Sequence, residues 1–341
     1  MKRKKKQQVF ALVSLFVILV LLCFLSILFG AVLLSPADTW NSLTCGYNNV
    51  CSTSSNIFVD TLIWQVRMPR IVLAGLVGLL LALSGVIMQG VLRNPLADPY
   101  ILGVSAGGGV GAVLAQMLGL NFVFYGMSAI PLFAFLGALI AVMIVYGLAV
   151  VSGRTTTETL LLSGVAVSAF CSGLISLMVI RGGDLQSIYF WLLGSLSGAS
   201  WNQVITLLPY AIIGLGITYY YSKDLNALLL GEEIAHSLGV EVEKVRFFLL
   251  IVASFMAAAA VSVAGMVGFI GLMIPHFVRL IVGPHHRWLV PLAALSGMLL
   301  MILADIPARS ILAPMELPLG VVMAFIGAPF FLYLLRRRSN Y

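Results

Sequence analysis

Long apolar runs recur along the whole of this chain, and only short polar connections separate them. Such a chain cannot hide its apolar surface in a water-soluble core. Hydrophobic residues make up 61% of its 341 residues and charged residues 9%, against about 25% charged in an ordinary soluble domain. Barrel strands would be short and alternating, whereas these runs are long and continuous. The expected fold class is therefore an all-α polytopic membrane protein, a single domain over 1–341 with about ten transmembrane helices of roughly 20 residues. The 33 glycines suit it, because small residues let membrane helices approach closely.

The chain opens Met-Lys-Arg-Lys-Lys-Lys before an apolar run at 9–34. That run is too long for a signal-peptide core and no Ala-x-Ala site follows, so a retained first span with a cytoplasmic basic end is expected. A polar loop at 35–60 would then lie outside, with Cys45 and Cys51 in it. An oxidising compartment could join the two, and two free thiols are the alternative. Cys23 and Cys171 fall within spans as small packing residues. Further spans are expected at 62–91, 102–118, 128–151, 159–180, 203–221, 245–263 and 268–280, then between 287 and 309, and from 319 to the basic 336–338. Both termini would be cytoplasmic.

On this topology only Arg67, Arg70, Arg181 and Arg309 of the 19 Lys and Arg lie outside, a bias that supports the orientation. These exceptions are expected to face water at the outer surface. They would meet an acidic partner or an anionic substrate, or simply snorkel to the interface.

The stretch 223–240 is polar where charge is otherwise scarce, and should lie in the cytoplasm. It carries Asp224, Glu232, Glu233 and His236 among Leu225, Leu228, Leu229 and Leu238. Two short helices are expected, broken at Gly231. Glu232 and Glu233 then fall in the first turn of the second helix, where its dipole favours anions, and Gly239 is placed for a left-handed cap. Such a helix pair is either a docking surface or a compact interfacial loop.

In the span at 159–180, Gly164, Ser168, Ser172 and Ser176 recur every four residues and share one helix face. That stripe is a packing face or the wall of a polar path. No Asp, Glu or Lys sits clearly mid-membrane, which weakens an ion-coupled secondary carrier, the rival transport reading. Gly103-Val104-Ser105-Ala106-Gly107 has the spacing of a hydrolase nucleophile turn, but it opens a membrane helix rather than following a strand. Gly107, Gly109 and Ala112 lack the preceding strand and the following acid of a dinucleotide site. His276, His285 and His286 lack zinc-site spacing. No phosphate-binding loop of the Gly-x-x-x-x-Gly-Lys-Ser/Thr kind occurs, so any ATP would be bound by another chain.

Several motifs carry a resemblance. They are Val-Arg-Met-Pro-Arg (66–70), Arg-Asn-Pro-Leu-Ala-Asp-Pro (93–99) with Leu-Gly-Val (102–104), and Trp-Leu-Leu-Gly-Ser-Leu (191–196). Gly-Phe-Ile-Gly-Leu-Met-Ile-Pro-His-Phe-Val-Arg (268–279), Ala-Asp-Ile-Pro-Ala-Arg (304–309) and Glu-Leu-Pro-Leu-Gly-Val (316–321) complete the set. Together, and in this order, they resemble the membrane permeases of iron-siderophore, haem and vitamin B12 ABC importers, of the type II fold. The resemblance implies a multi-pass permease of the cytoplasmic (inner) membrane, working as a pair of identical or similar copies among membrane lipid. It implies two cytoplasmic ATPase subunits that hold ATP and magnesium, and a periplasmic or lipid-anchored binding protein; this chain would bind no cofactor, metal or nucleic acid and catalyse nothing.

By the same resemblance 223–240 would be the ATPase-coupling helices, with Asp224, Leu225, Leu228, Leu229, Gly231, Glu232, Glu233, His236, Leu238 and Gly239 as the residues to test. Arg67, Arg70 and Arg309 would dock the binding protein. Gly164, Ser168, Ser172 and Ser176 would line the translocation pathway. Ferric siderophore is the first expected cargo, then haem, then cobalamin. The family often has Gly-x-Asp-His-Arg where this chain has Gly283-Pro284-His285-His286-Arg287, which removes an acid from a possible salt bridge.

Overall fold

The computed structural model describes residues 2–45, 57–120, 122–124, 127–151, 154–181 and 185–338. Cys51 and the Cys45 side chain lie outside the described residues, and with them the expected thiol pair.

The helices follow the apolar runs. In chain order they are α1 (Lys2–Leu28), α2 (Pro36–Cys45), α3 (Ile57–Thr61), α4 (Met68–Val91), α5 (Val104–Met117), α6 (Ala129–Ala149), α7 (Thr157–Ile180) and α8 (Leu185–Leu192). Then come α9 (Trp201–Tyr220), α10 (Ser222–Leu229), α11 (Glu232–Ser237), α12 (Val242–Ala264), α13 (Ile270–Val282), α14 (His286–Ser310) and α15 (Leu319–Arg338). A π-helical turn, Leu62–Arg67, joins α3 to α4, and a 3-10 turn, Pro99–Leu102, precedes α5. Two small antiparallel hairpins complete the set: β1 (Val123–Phe124) with β2 (Met127–Ser128), and β3 (Val150–Val151) with β4 (Arg154–Thr155).

Among the described residues, seven helices are long and apolar enough to cross a membrane, and three shorter apolar helices accompany them. The long stretch through α3 and α4 is 94% buried in its most apolar window, against 22% for α7. A helix that is apolar on every side belongs at the centre of a bundle, and α4 packs on α14, α12, α13 and α9. Glycine makes this possible. A Cβ on Gly78 would strike the Gly297 carbonyl of α14, and one on Gly85 would strike the Gly271 carbonyl of α13. Those backbones touch because no side chain separates them.

The expected boundaries of span one, 9–34, are shifted: α1 starts at Lys2 and ends at Leu28. Lysine and arginine are good helix formers, so the basic end continues the helix. The far end stops early because two arginines from other helices take its last carbonyls. Arg309 Nη2 donates to the Ser26 carbonyl at 2.5 Å, and Arg67 donates to the carbonyls of Ile27 and Val32. A helix C-terminus leaves carbonyls unpaired and attracts cations.

Candidate functional site

The polar stretch at 223–240 forms the expected helix pair. Gly231, with φ 117°, separates α10 from α11, and Gly239, with φ 86°, closes α11 in the left-handed region. The two faces of the pair differ sharply. Leu225 and Leu228 are buried, and α10 packs on α4 and α14. Asn226 strengthens this anchor: its Oδ1 accepts from the His286 backbone N–H at 2.9 Å, at the first residue of α14, and lies 2.9 Å from His286 Nδ1. Two of the leucines expected at an ATPase surface therefore point into the bundle instead, because α10 needs an apolar face to seat. Leu229 is half-buried.

The exposed surface of the pair holds Leu230, Ile234 and Leu238, with Leu230 62% and Leu238 64% exposed, together with the exposed Glu233 and His236. Leu230 and Ile234 are not among the residues that the motifs single out, although both lie in the polar stretch. Their signal is positional: they fall on the side of each short helix away from Leu225, Leu228 and Ala235.

Glu232 is not a free docking charge. Its Oε1 accepts from Arg93 Nη2 at 3.0 Å and also from Arg246 Nη2. Arg246 is buried, and its Nη1 donates to Glu243 at 2.9 Å and to the Thr155 carbonyl at 3.1 Å. Sequence alone does not mark Arg93 and Arg246 as partners of Glu232, because the three lie in different elements of the chain.

At the opposite end of the bundle, the expectation of water-facing arginines is corrected. Arg67, Arg70 and Arg309 are buried, while Arg181 alone of the four is exposed. Arg70 reaches Asp305 at 2.8 Å and Glu316 at 2.6 Å. Asp305 also lies 3.2 Å from Arg309 Nε. Burying a charge is tolerable only when it is paired and hydrogen-bonded, and here two carboxylates and the α1 carbonyls supply the partners. Glu316, in the α14–α15 connection, is the half-exposed member of the cluster.

The small-residue stripe of α7 divides. Gly164 is buried, and a Cβ there would strike the Ile101 carbonyl, so its role is close packing on the 3-10 turn. Ser168 is half-buried, whereas Ser172 and Ser176 are exposed. The Ser172 and Ser176 hydroxyls donate to the carbonyls four residues earlier, at 2.9 Å each. Leu162, Val165, Phe170 and Leu177 are exposed on the same helix. At the helix-pair end, Arg279 Nε and Nη2 are buried without an acceptor among the described residues. Among the described residues no three His, Cys, Asp or Glu side chains gather as a metal site.

The chain is similar to several permeases of known description. It is 45% identical to the cobalamin import system permease protein BtuC of Halobacterium salinarum over 88% of this chain and 80% of the relative. It is 35% identical to the iron(3+)-hydroxamate import system permease protein FhuG of Bacillus subtilis, over 99% and 100%. With the hemin transport system permease protein HmuU of Yersinia pestis the identity is 38%, over 96% and 95%. A solved structure described as an inward-facing metal-chelate type ABC transporter superimposes with a TM-score of 0.80 at 32% identity, covering 96% of this chain and 98% of that one. The sequence pattern of the FecCD transport family matches residues 18–337, and the chain belongs to that family of multi-pass membrane permeases.

Proposed function

We propose that this chain is the permease subunit of an ATP-driven importer that carries a large metal chelate across the cytoplasmic membrane by alternating access. The observation that carries the reading is the family match over nearly the whole chain. The relatives' names cover cobalamin, an iron(3+)-hydroxamate and hemin, and these share the chemistry of a bulky metal-centred ligand. Ferric siderophore is our first cargo, haem the second and cobalamin the third.

In this reading the seven long and three shorter apolar helices make ten spans, with both termini and the α10–α11 pair in the cytoplasm. Two ATPase subunits seat against Leu230, Ile234 and Leu238. Two permease copies meet along the exposed apolar side of α7, and Ser168, Ser172 and Ser176 face the path between them. A binding protein delivers cargo at the end that holds Arg70 and Glu316. ATP binding closes the ATPase pair, and the permease contributes different contacts in its two states, which is what coupling requires.

The test is reconstitution of the chain with its ATPase and binding protein in liposomes, and uptake of each candidate chelate. Uptake that needs ATP and survives ionophores supports the reading. Uptake driven by an ion gradient without ATP overturns it. Competition among ferric siderophore, haem and cobalamin for the binding protein decides the cargo.

A further inference from the structure

We infer that Arg246 is a positioning residue, the clamp that makes the α10–α11 pair and the entry of α7 move as one body. The inference rests on the permease reading above. Its own basis is geometric.

Arg246 lies in the first turns of α12 and is buried. Its guanidinium holds acceptors from three separate parts of the chain: Glu232 at the start of α11, Glu243 on α12 itself, and the Thr155 carbonyl at the end of the β3–β4 hairpin. Glu232 adds a fourth part, because Arg93 of the α4–α5 connection binds the same oxygen. Two guanidinium groups face two carboxylates, so the cluster is charge-balanced without an outside counter-ion. A planar fork can hold several acceptors at fixed angles, and a lysine ammonium cannot reproduce that pattern.

What lies on each side of the clamp gives it a consequence. Toward water, α11 is six residues long with only Ala235 buried, so little else anchors it. It nevertheless carries the exposed Ile234 beside Leu230 and Leu238. Toward the bundle, Thr155 runs directly into Thr156, whose hydroxyl accepts the Thr159 N–H at 3.2 Å and fixes the first turn of α7. Beside Arg246, the rings of Phe247 on α12 and Tyr146 on α6 lie 4.8 Å apart between centroids, about one helical turn before the hairpin begins. α7 is peripheral and packs chiefly on α5 and α6, so it can tilt more cheaply than α4. A push on the α11 ridge thus reaches α7 through one guanidinium.

The experiment uses the permease with its ATPase and binding protein in proteoliposomes, with the cysteines replaced and spin labels at the exposed positions Ser237 and Glu158. In the parent, the label distance should be narrow and unchanged by ATP. In Arg246→Gln the ATPase should stay bound and hydrolyse ATP within about twofold of the parent, while uptake falls about tenfold and the distance broadens even without nucleotide. Arg246→Lys should fall between the two. Glu232→Gln is the second variant should Arg246→Gln fail to fold, with the same broadening expected. Parent-like uptake with a narrow distance in either neutral variant overturns the clamp and leaves the permease reading standing. A parent that neither retains the ATPase nor takes up cargo with ATP overturns both.

Discussion

Arg70 holds Asp305 at 2.8 Å, an ion pair closed across 235 residues of chain and almost wholly buried. The same guanidinium carries Glu316, and the same carboxylate approaches Arg309. The cluster therefore ties α4, α14, the α14–α15 connection and, through Ser26, the end of α1. Removing one member leaves uncompensated charge in a dry site. Asp305→Asn should cost about 3 kcal/mol of stability, as broken buried pairs do. Glu316→Gln should cost about 1 kcal/mol, because that carboxylate is partly solvated. Thermal unfolding of the purified variants in detergent checks both, and equal costs would refute the ranking.

Close helix approach makes opposite predictions for two glycines. Gly85 has the Gly271 carbonyl where a side chain would go, and neither backbone can yield. Gly85→Val should destabilise by at least about 3 kcal/mol or prevent folding. Gly147, inside α6, has open space where a methyl group would stand, with nothing within 4 Å of that point. Gly147→Ala should be neutral or gain about 0.5–1 kcal/mol by lowering the entropy of the unfolded chain. Resistance to protease in membranes separates the two outcomes.

The α10–α11 pair offers a test by face. Leu230→Asp and Ile234→Asp put charge on an exposed face that bears no packing in the bundle, so membrane insertion and melting temperature should be unchanged. Retention of the ATPase subunit on affinity-purified permease should drop at least about tenfold, the effect of losing an apolar anchor at an interface. Leu225→Asp buries a charge between α10 and the bundle and should lower stability itself. Undiminished ATPase retention in both ridge variants would refute the docking surface.

The helices, the break at Gly231 and the cap at Gly239 are legible in the sequence because they rest on local chemistry: apolar run length, helix-start acids and glycine in the left-handed region. The facing of each leucine is less so. Leu225 and Leu230 fall on different sides by helical spacing, but only the seat of α10 on α4 and α14 decides which side is buried. Arg67, Arg70 and Arg309 are misplaced by sequence for a further reason. Charge bias marks which end of the bundle a residue occupies, but not whether a carboxylate 235 or 246 residues away will meet it. The partners of Arg93 and Glu316 stay hidden on the same ground, since pairs between distant connections leave no periodic trace, and of the contacts of Arg246 only the one to Glu243, three residues away on α12, has a local signature.

The 283–287 turn gives the last prediction. His285 is the N-cap of α14, yet its side chain makes no capping hydrogen bond. Two nitrogens of Arg279, at the end of the preceding helix, are buried without an acceptor among the described residues. An aspartate at this position would supply the cap, and its carboxylate is a candidate acceptor for Arg279. His285→Asp should stabilise by about 1 kcal/mol through the cap alone, and by about 1–3 kcal/mol more if it satisfies Arg279. A double-mutant cycle with Arg279→Met divides the two effects. A gain that persists undiminished in the Arg279→Met background belongs to the cap. A gain that shrinks there measures the restored pair. Absence of any stabilisation in either background would show that the turn cannot bring a carboxylate to the helix end or to Arg279.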